Sequence, residues 1–136
     1  MDAHNVYWTI SVFSTVNGTS VCTLGKVLSV PIGGGAERTL ASGQNGPGPI
    51  AVDTTAVYWI NEGSKDDDGA LMKLPLDGGA PVTLAAGRSG PFEIAIDDTF
   101  VYWTEVPASA AAGSLTGIPP GVVSPAMGVV MKTSKN

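Results

Sequence analysis

The stretch GKVLSVPIGGGAERTLASGQNGPGPIAVDTTAVYW, residues 25–59, aligns without a gap on GALMKLPLDGGAPVTLAAGRSGPFEIAIDDTFVYW, residues 69–103. The offset is a constant 44, and about half of the aligned positions are identical. Each segment closes on a Val-Tyr-Trp triplet, Val57-Tyr58-Trp59 and Val101-Tyr102-Trp103, and a third copy stands at Val6-Tyr7-Trp8. The three triplets contain all 3 Trp and all 3 Tyr of the chain, which chance does not arrange. Self-similarity at a period near 44 marks a supersecondary unit that buries its apolar faces by stacking on its neighbours.

Each unit reads as four short strands. Ile50-Ala51-Val52 and Ile94-Ala95-Ile96 are apolar and β-branched, and each runs into an aspartate, Asp53 or Asp97. A three-residue turn leads to the Val-Tyr-Trp strand. The third strand is predicted at Val27–Ile32 and Leu71–Leu76, and the fourth at Arg38–Ala41 and Val82–Ala85. Gly33-Gly34-Gly35 and Asp77-Gly78-Gly79 separate them. Short strands divided by Gly, Pro and Asp at regular spacing predict an all-β fold. Pro31 and Pro75 suit only a strand end, an edge or a bulge, because proline has no N–H for a ladder. The strands are more apolar than a sheet with one wet face requires, as expected of propeller blades packed on both sides. The tryptophans, Trp8, Trp59 and Trp103, are expected between adjacent blades, where a large ring fills the gap between twisted sheets.

The fold expectation is a partial β-propeller over residues 1–136, with blade units at approximately 1–43, 44–87 and 88–136. Aligned on the middle unit, the first lacks most of its first strand. Gly128-Val129-Val130-Met131-Lys132 matches Gly69-Ala70-Leu71-Met72-Lys73, and the third unit ends before a fourth strand. The expected strand content is therefore three, four and three. A six-bladed ring at this period needs about 270 residues, whereas the chain has 136. An arc of this kind exposes apolar blade faces and invites self-association, or a second chain completing the ring.

Composition removes several function classes. Hydrophobic residues make up 43% and charged residues 14%, with 18 Gly and 10 Pro, which fits a folded chain rich in turns. The net charge is −5, and seven basic residues form no cluster, so a nucleic-acid partner is not expected. No apolar run reaches the length of a membrane-spanning helix. The start, Met1-Asp2-Ala3-His4-Asn5, lacks the basic and apolar regions of a signal peptide. A single cysteine, Cys22, excludes an intrachain disulfide and a multi-cysteine zinc site.

The order I-A-V/I-D, V-Y-W, G-x-x-M-K-x-P-L-D-G-G, T-L-A-x-G resembles the bacterial Val-Tyr-Trp propeller repeats related to the YWTD and NHL propeller families. It covers nearly the whole chain apart from two insertions. The resemblance implies a binding or interaction module, often in cell-envelope or secreted proteins, and some related propellers are enzymes. YWTD repeats carry an acidic residue two positions after the Trp. Here those positions are Ile10, Asn61 and Glu105, so the pattern is lost in at least two copies and the inter-blade hydrogen bonding of that Asp is not carried over.

Candidate chemistry is sparse. Asp66-Asp67-Asp68-Gly69 is the densest acidic run and the one weak candidate for a hard cation. Three consecutive carboxylates do not reproduce the alternate spacing of calcium loops, so a solvated turn is the favoured reading. Asp53 and Asp97, with Asp2 at the aligned place, recur at one position. They read as strand-ending residues that bond their own turn, with a carboxylate ring around a channel as the rival. Tyr7, Trp8, Tyr58, Trp59, Tyr102 and Trp103 read as repeat structure. His4, the one histidine, has no visible nucleophile and carboxylate partners, and Cys22 has no activating base. The glycine-rich turns lack the Lys-Ser/Thr of a phosphate loop. No cofactor is expected. The connections that follow the triplets read as variable loops, of medium length in the first unit, shortest in the second and longest in the third, where the loop runs from Pro107 to Met127. Such insertions commonly lie on one binding face of a repeat protein, with a tolerated insertion that binds nothing as the equal rival.

A non-catalytic propeller module for binding or protein–protein interaction is the leading expectation. A fragment of a propeller lyase or hydrolase, with a site that forms only in the complete ring, is the alternative; a remnant without activity of its own is a third.

Overall fold

The computed structural model describes residues 4–65, 67–106 and 129–135. In it the triplets lie on the strands β1 (Asn5–Val16), β5 (Ala56–Asn61) and β9 (Phe100–Glu105). The other strands are β2 (Thr19–Pro31), β3 (Arg38–Ser42), β4 (Pro47–Val52), β6 (Gly69–Pro75), β7 (Val82–Arg88), β8 (Pro91–Ile96) and β10 (Val129–Ser134). Three antiparallel sheets result, β1-β2-β3, β4-β5-β6-β7 and β8-β9-β10, hereafter sheets 1, 2 and 3. They hold three, four and three strands, a partial, propeller-like all-β arrangement with no helix among the described residues. β4 packs against β1 on one side and β8 on the other.

Successive residues of a strand point to opposite faces, and in the middle sheet both faces are covered. Val57 and Trp59 join Tyr7, Val27 and Ala41 of sheet 1 in one apolar cluster. Ala56, Tyr58 and Ile60 join Val101 and Trp103 of sheet 3 in another. All five residues Ala56 to Ile60 are fully buried. Tyr7 and Tyr58 thus face the following sheet, and Trp59 and Trp103 face the preceding one. Trp59 and Trp103 lie in the two seams, as read from the sequence. Trp8, by alternation with Tyr7, lies on the flank of sheet 1 turned away from sheet 2, where it is only half-buried.

Two differences from the sequence expectation have local causes. The first connection, read as a medium-length variable loop, is not a loop. Asn17-Gly18 form a two-residue turn with φ of 50° and 78°, and pairing runs without a break in the hairpin from Val16↔Thr19 to the bulge at Val12/Phe13. Both turn residues take the left-handed region that a tight, twist-matched hairpin demands, and Asn-Gly adopts it readily. The strands β4 and β8 also begin earlier than expected, at Pro47 and Pro91. Pairing with the next strand is interrupted by a bulge between Pro47 and Ile50, and again between Pro91 and Ile94. Proline is tolerated at the first strand position, and the bulge absorbs its missing donor. Pro31 and Pro75 end their strands.

Glycine is required where one sheet hands over to the next. A Cβ on Gly69 would lie 2.6 Å from the Arg88 carbonyl oxygen and 2.7 Å from Cδ of Pro91. At the aligned Gly25, a Cβ would collide with the Gln44 carbonyl oxygen and come within 2.8 Å of Cδ of Pro47. Gly69→Ala is therefore expected to cost about 2 kcal/mol through backbone displacement. Gly33→Ala, with no atom within 4 Å of its Cβ position, is expected to stay within about 0.5 kcal/mol of the parent. Urea unfolding of the two variants checks both values.

Candidate functional site

The seam between sheets 2 and 3 gathers the recurrent polar residues. Asp53 follows β4, and its Oδ1 accepts the Thr55 N–H at 2.7 Å, the Thr55 hydroxyl at 2.7 Å and the Ala56 N–H at 2.9 Å. This is an Asx-type turn, which fixes the corner between β4 and β5. The other oxygen accepts the Tyr58 hydroxyl at 3.4 Å and the Lys135 ammonium at 2.5 Å. Lys135, just past β10, also offers its carbonyl to the Lys73 ammonium at 2.5 Å. One lysine of sheet 2 and one from the end of sheet 3 therefore stitch the seam in both directions. Asp97 repeats the corner after β8. It accepts the Thr99 and Phe100 N–H groups and the Tyr102 hydroxyl, each at 2.7 Å.

These contacts set the ionisation of the groups. Burial alone would raise the Asp53 carboxyl, but the hydrogen bonds from Lys135, from Thr55 and from the Thr55 and Ala56 backbone hold it far below the usual carboxylate range. The Tyr102 hydroxyl, with the Phe100 and Thr99 N–H groups, lowers Asp97 to about 2. Burial, together with the charge of Asp53, pushes the Tyr58 phenol up. Tyr102 is raised by its bond to Asp97.

The other recurrent polar positions join the sheets through tryptophan. Trp59 Nε1–H donates to the side-chain oxygens of Gln44 at 3.1 Å and Asn61 at 3.2 Å, and Asn61 donates to Gln44 at 3.0 Å. Gln44 is tied back to sheet 1, since its N–H donates to the Gly25 carbonyl at 3.1 Å. In the next seam Trp103 Nε1–H donates to Glu105 at 2.6 Å, and Arg88 Nε of sheet 2 lies 3.5 Å from the same carboxylate oxygen. The position two after the Trp therefore does link sheets, with Asn61 and Glu105 in place of Asp. Sequence reasoning tied that role to the Asp of the family pattern and so missed it at Asn61, which is not acidic, and at Glu105, which is. What the buried indole requires is an acceptor, and an amide oxygen provides one.

The acidic run is structural where it is described. The Asp68 carboxylate accepts the Ser64 and Lys65 N–H groups, the Ser64 hydroxyl and the Asn45 amide. Burial works against these bonds, yet they hold its carboxyl below the ordinary value. Asp67, at φ 60°, accepts the Ser89 hydroxyl. Asp66 lies outside the described residues, as do Asp2 and the segment Pro107–Met127. Among the described residues no three His, Cys, Asp or Glu side chains converge as metal ligands. His4 is exposed immediately before β1, and Cys22, on β2, directs its thiol to the Gln44 carbonyl at 3.7 Å.

No family model matches this chain, and no curated protein matches it. Among the described residues no helix is long and apolar enough to cross a membrane.

The acid limb of stability follows from the two corner aspartates. Their carboxyls titrate lower in the folded chain than the value near 3.9 of an unfolded one. Their contribution is present above the unfolded value and is lost as pH falls, by about pH 2 for Asp97 and at still lower pH for Asp53, because the unfolded chain takes up protons first. Asp53→Ala is expected to lose about 2 kcal/mol at neutral pH, the scale of a charged hydrogen bond. The gap between variant and parent should narrow from pH 4 to pH 2. Urea titrations at stepped pH measure it, and a gap independent of pH would refute the assignment.

Proposed function

We propose that this chain is a non-catalytic β-propeller module that works by association, its outer flanks covered by further blades of the same kind from a second copy or another chain. One comparison carries the reading. Val57 is wholly buried beneath sheet 1, whereas its counterpart Val6, on the outward flank of sheet 1, is 40% exposed. The half-buried Trp8 stands in the same relation to the fully buried Trp59. The outward flank of sheet 3 carries Tyr102 and Phe100, their ring centroids 6.2 Å apart, with the Lys132 ammonium 4.5 Å from the Phe100 ring centre. Inside the chain a Trp-bearing face always meets a Tyr-bearing face, and the two outer flanks offer one of each.

Stacking the Trp flank of one copy on the Tyr flank of the next is a head-to-tail contact, which closes into a ring when the rotation allows. Two copies would supply six sheets, within the range of known propellers. The resemblance of the Val-Tyr-Trp repeat to propeller interaction modules supports the same reading. Light scattering over a concentration series is expected to show a mass above that of one chain. Val6→Glu, which places a charge on the Trp flank, is expected to lower that mass to a single chain without loss of β-sheet circular dichroism. A single-chain mass at every concentration would exclude completion by a second copy.

A further inference from the structure

The two seams differ in how their cations are used. Across the ladder from Tyr58 stands Lys73, and across from Lys73 stands Val82. The matching places in sheet 1 are Ser29 across from Tyr7 and Arg38 across from Ser29. Directly paired residues share a face of the sheet, so Ser29 and Arg38 look toward sheet 2 as Lys73 looks toward sheet 3. The positive charge has moved one strand outward, and a short hydroxyl has replaced the long side chain.

The second seam neutralises itself: Lys135 pairs with Asp53, and Lys73 binds a carbonyl. Among the described residues the first seam has no such closure. The ion pairs among the described residues are Arg88–Glu105 and Lys135–Asp53, so Arg38 has no carboxylate partner there. Beside it lies a cleft of about 430 Å³, lined by Tyr7, Ser29, Arg38, Leu40, Leu74 and Leu76 among others. That volume is within the range of small-molecule sites, and the mixture of apolar wall with a few polar groups is their usual make-up.

We propose that this cleft binds a small organic monocarboxylate with an apolar body. The Arg38 guanidinium would fork onto the carboxylate, a geometry that planar guanidinium matches and ammonium does not. The body would lie against Leu40, Leu74 and Leu76, with the Ser29 and Tyr7 side chains at its edge. One guanidinium with no carboxylate partner among the described residues suits a single negative charge, and the leucines favour a hydrocarbon body over a doubly charged, strongly hydrated phosphate. This site does not depend on ring completion, since both of its walls belong to one chain.

The test is calorimetric and NMR titration of the full chain with benzoate and hexanoate, and with the neutral isostere benzamide. Saturable binding of at least one carboxylate is expected, with benzamide about tenfold weaker, the scale of one charge-assisted hydrogen bond. Arg38→Gln is expected to bring benzoate down to the benzamide level. Ser29→Leu, which fills the cleft without changing charge, is expected to abolish binding while the circular dichroism of the sheets is retained. Failure of both carboxylates to saturate would overturn the proposal. So would an affinity that neither variant alters, or a carboxylate bound no better than benzamide. Arg38 is exposed and outside the core, so its variant remains informative should the substitution at Ser29 disturb folding.

Discussion

Everything in this molecule depends on one strand having two dry sides. In β5 the side chains alternate between seams, Val57 and Trp59 into one and Ala56, Tyr58 and Ile60 into the other, and none touches solvent. A strand in that position cannot be satisfied by one neighbour. Burying a Trp or Tyr ring contributes on the order of 2–3 kcal/mol only if the opposing sheet is in place. The sheets therefore stabilise one another, and the triplet is the element that couples them.

Dry seams impose a polar requirement. An indole N–H buried without an acceptor costs about 1–3 kcal/mol, and the chain answers it twice with different chemistry: an amide pair at Gln44 and Asn61, and a carboxylate at Glu105 near Arg88. The phenol of each described triplet beyond the first is met by the aspartate that closes the preceding corner. One carboxylate thus serves the turn backbone and the neighbouring aromatic together. That double duty accounts for Asp at this place, since Asn would supply the turn acceptor and lack the charge that Lys135 answers.

Much of this architecture was legible before any coordinates. Period, β-branched strands and the glycine and proline punctuation led to all-β sheets of three, four and three strands, because those signals are local. The hairpin at Asn17-Gly18 was also legible, as Asn-Gly between strand-forming residues is a strong turn signal, but alignment to the shorter middle unit cast it as an insertion. The early starts at Pro47 and Pro91 were hidden, because Pro and Gly in sequence argue for turns and only the bulge lets them pair. The site was less accessible. Asp53 and Asp97 announce themselves by recurrence, whereas Lys135 lies 82 residues from its partner and nothing local marks it. Arg38 attracts no notice until Ser29 and Tyr7 are seen beside it on one face.

The hairpin of β1 and β2 has a consequence of another kind. Past the bulge at Val12/Phe13 it projects beyond its own sheet, with Val12, Phe13 and Val16 all more than 40% exposed. Near its base, Thr9 and Ser11 hydroxyls bond the carbonyls of Gly48 and Pro47. A two-stranded ribbon can gain or lose residues in matched pairs at its tip while the register below the tether stays put. Length and composition there are free to drift over generations without disturbing the aromatic packing, so the ribbon is the part of this architecture most open to evolutionary tinkering.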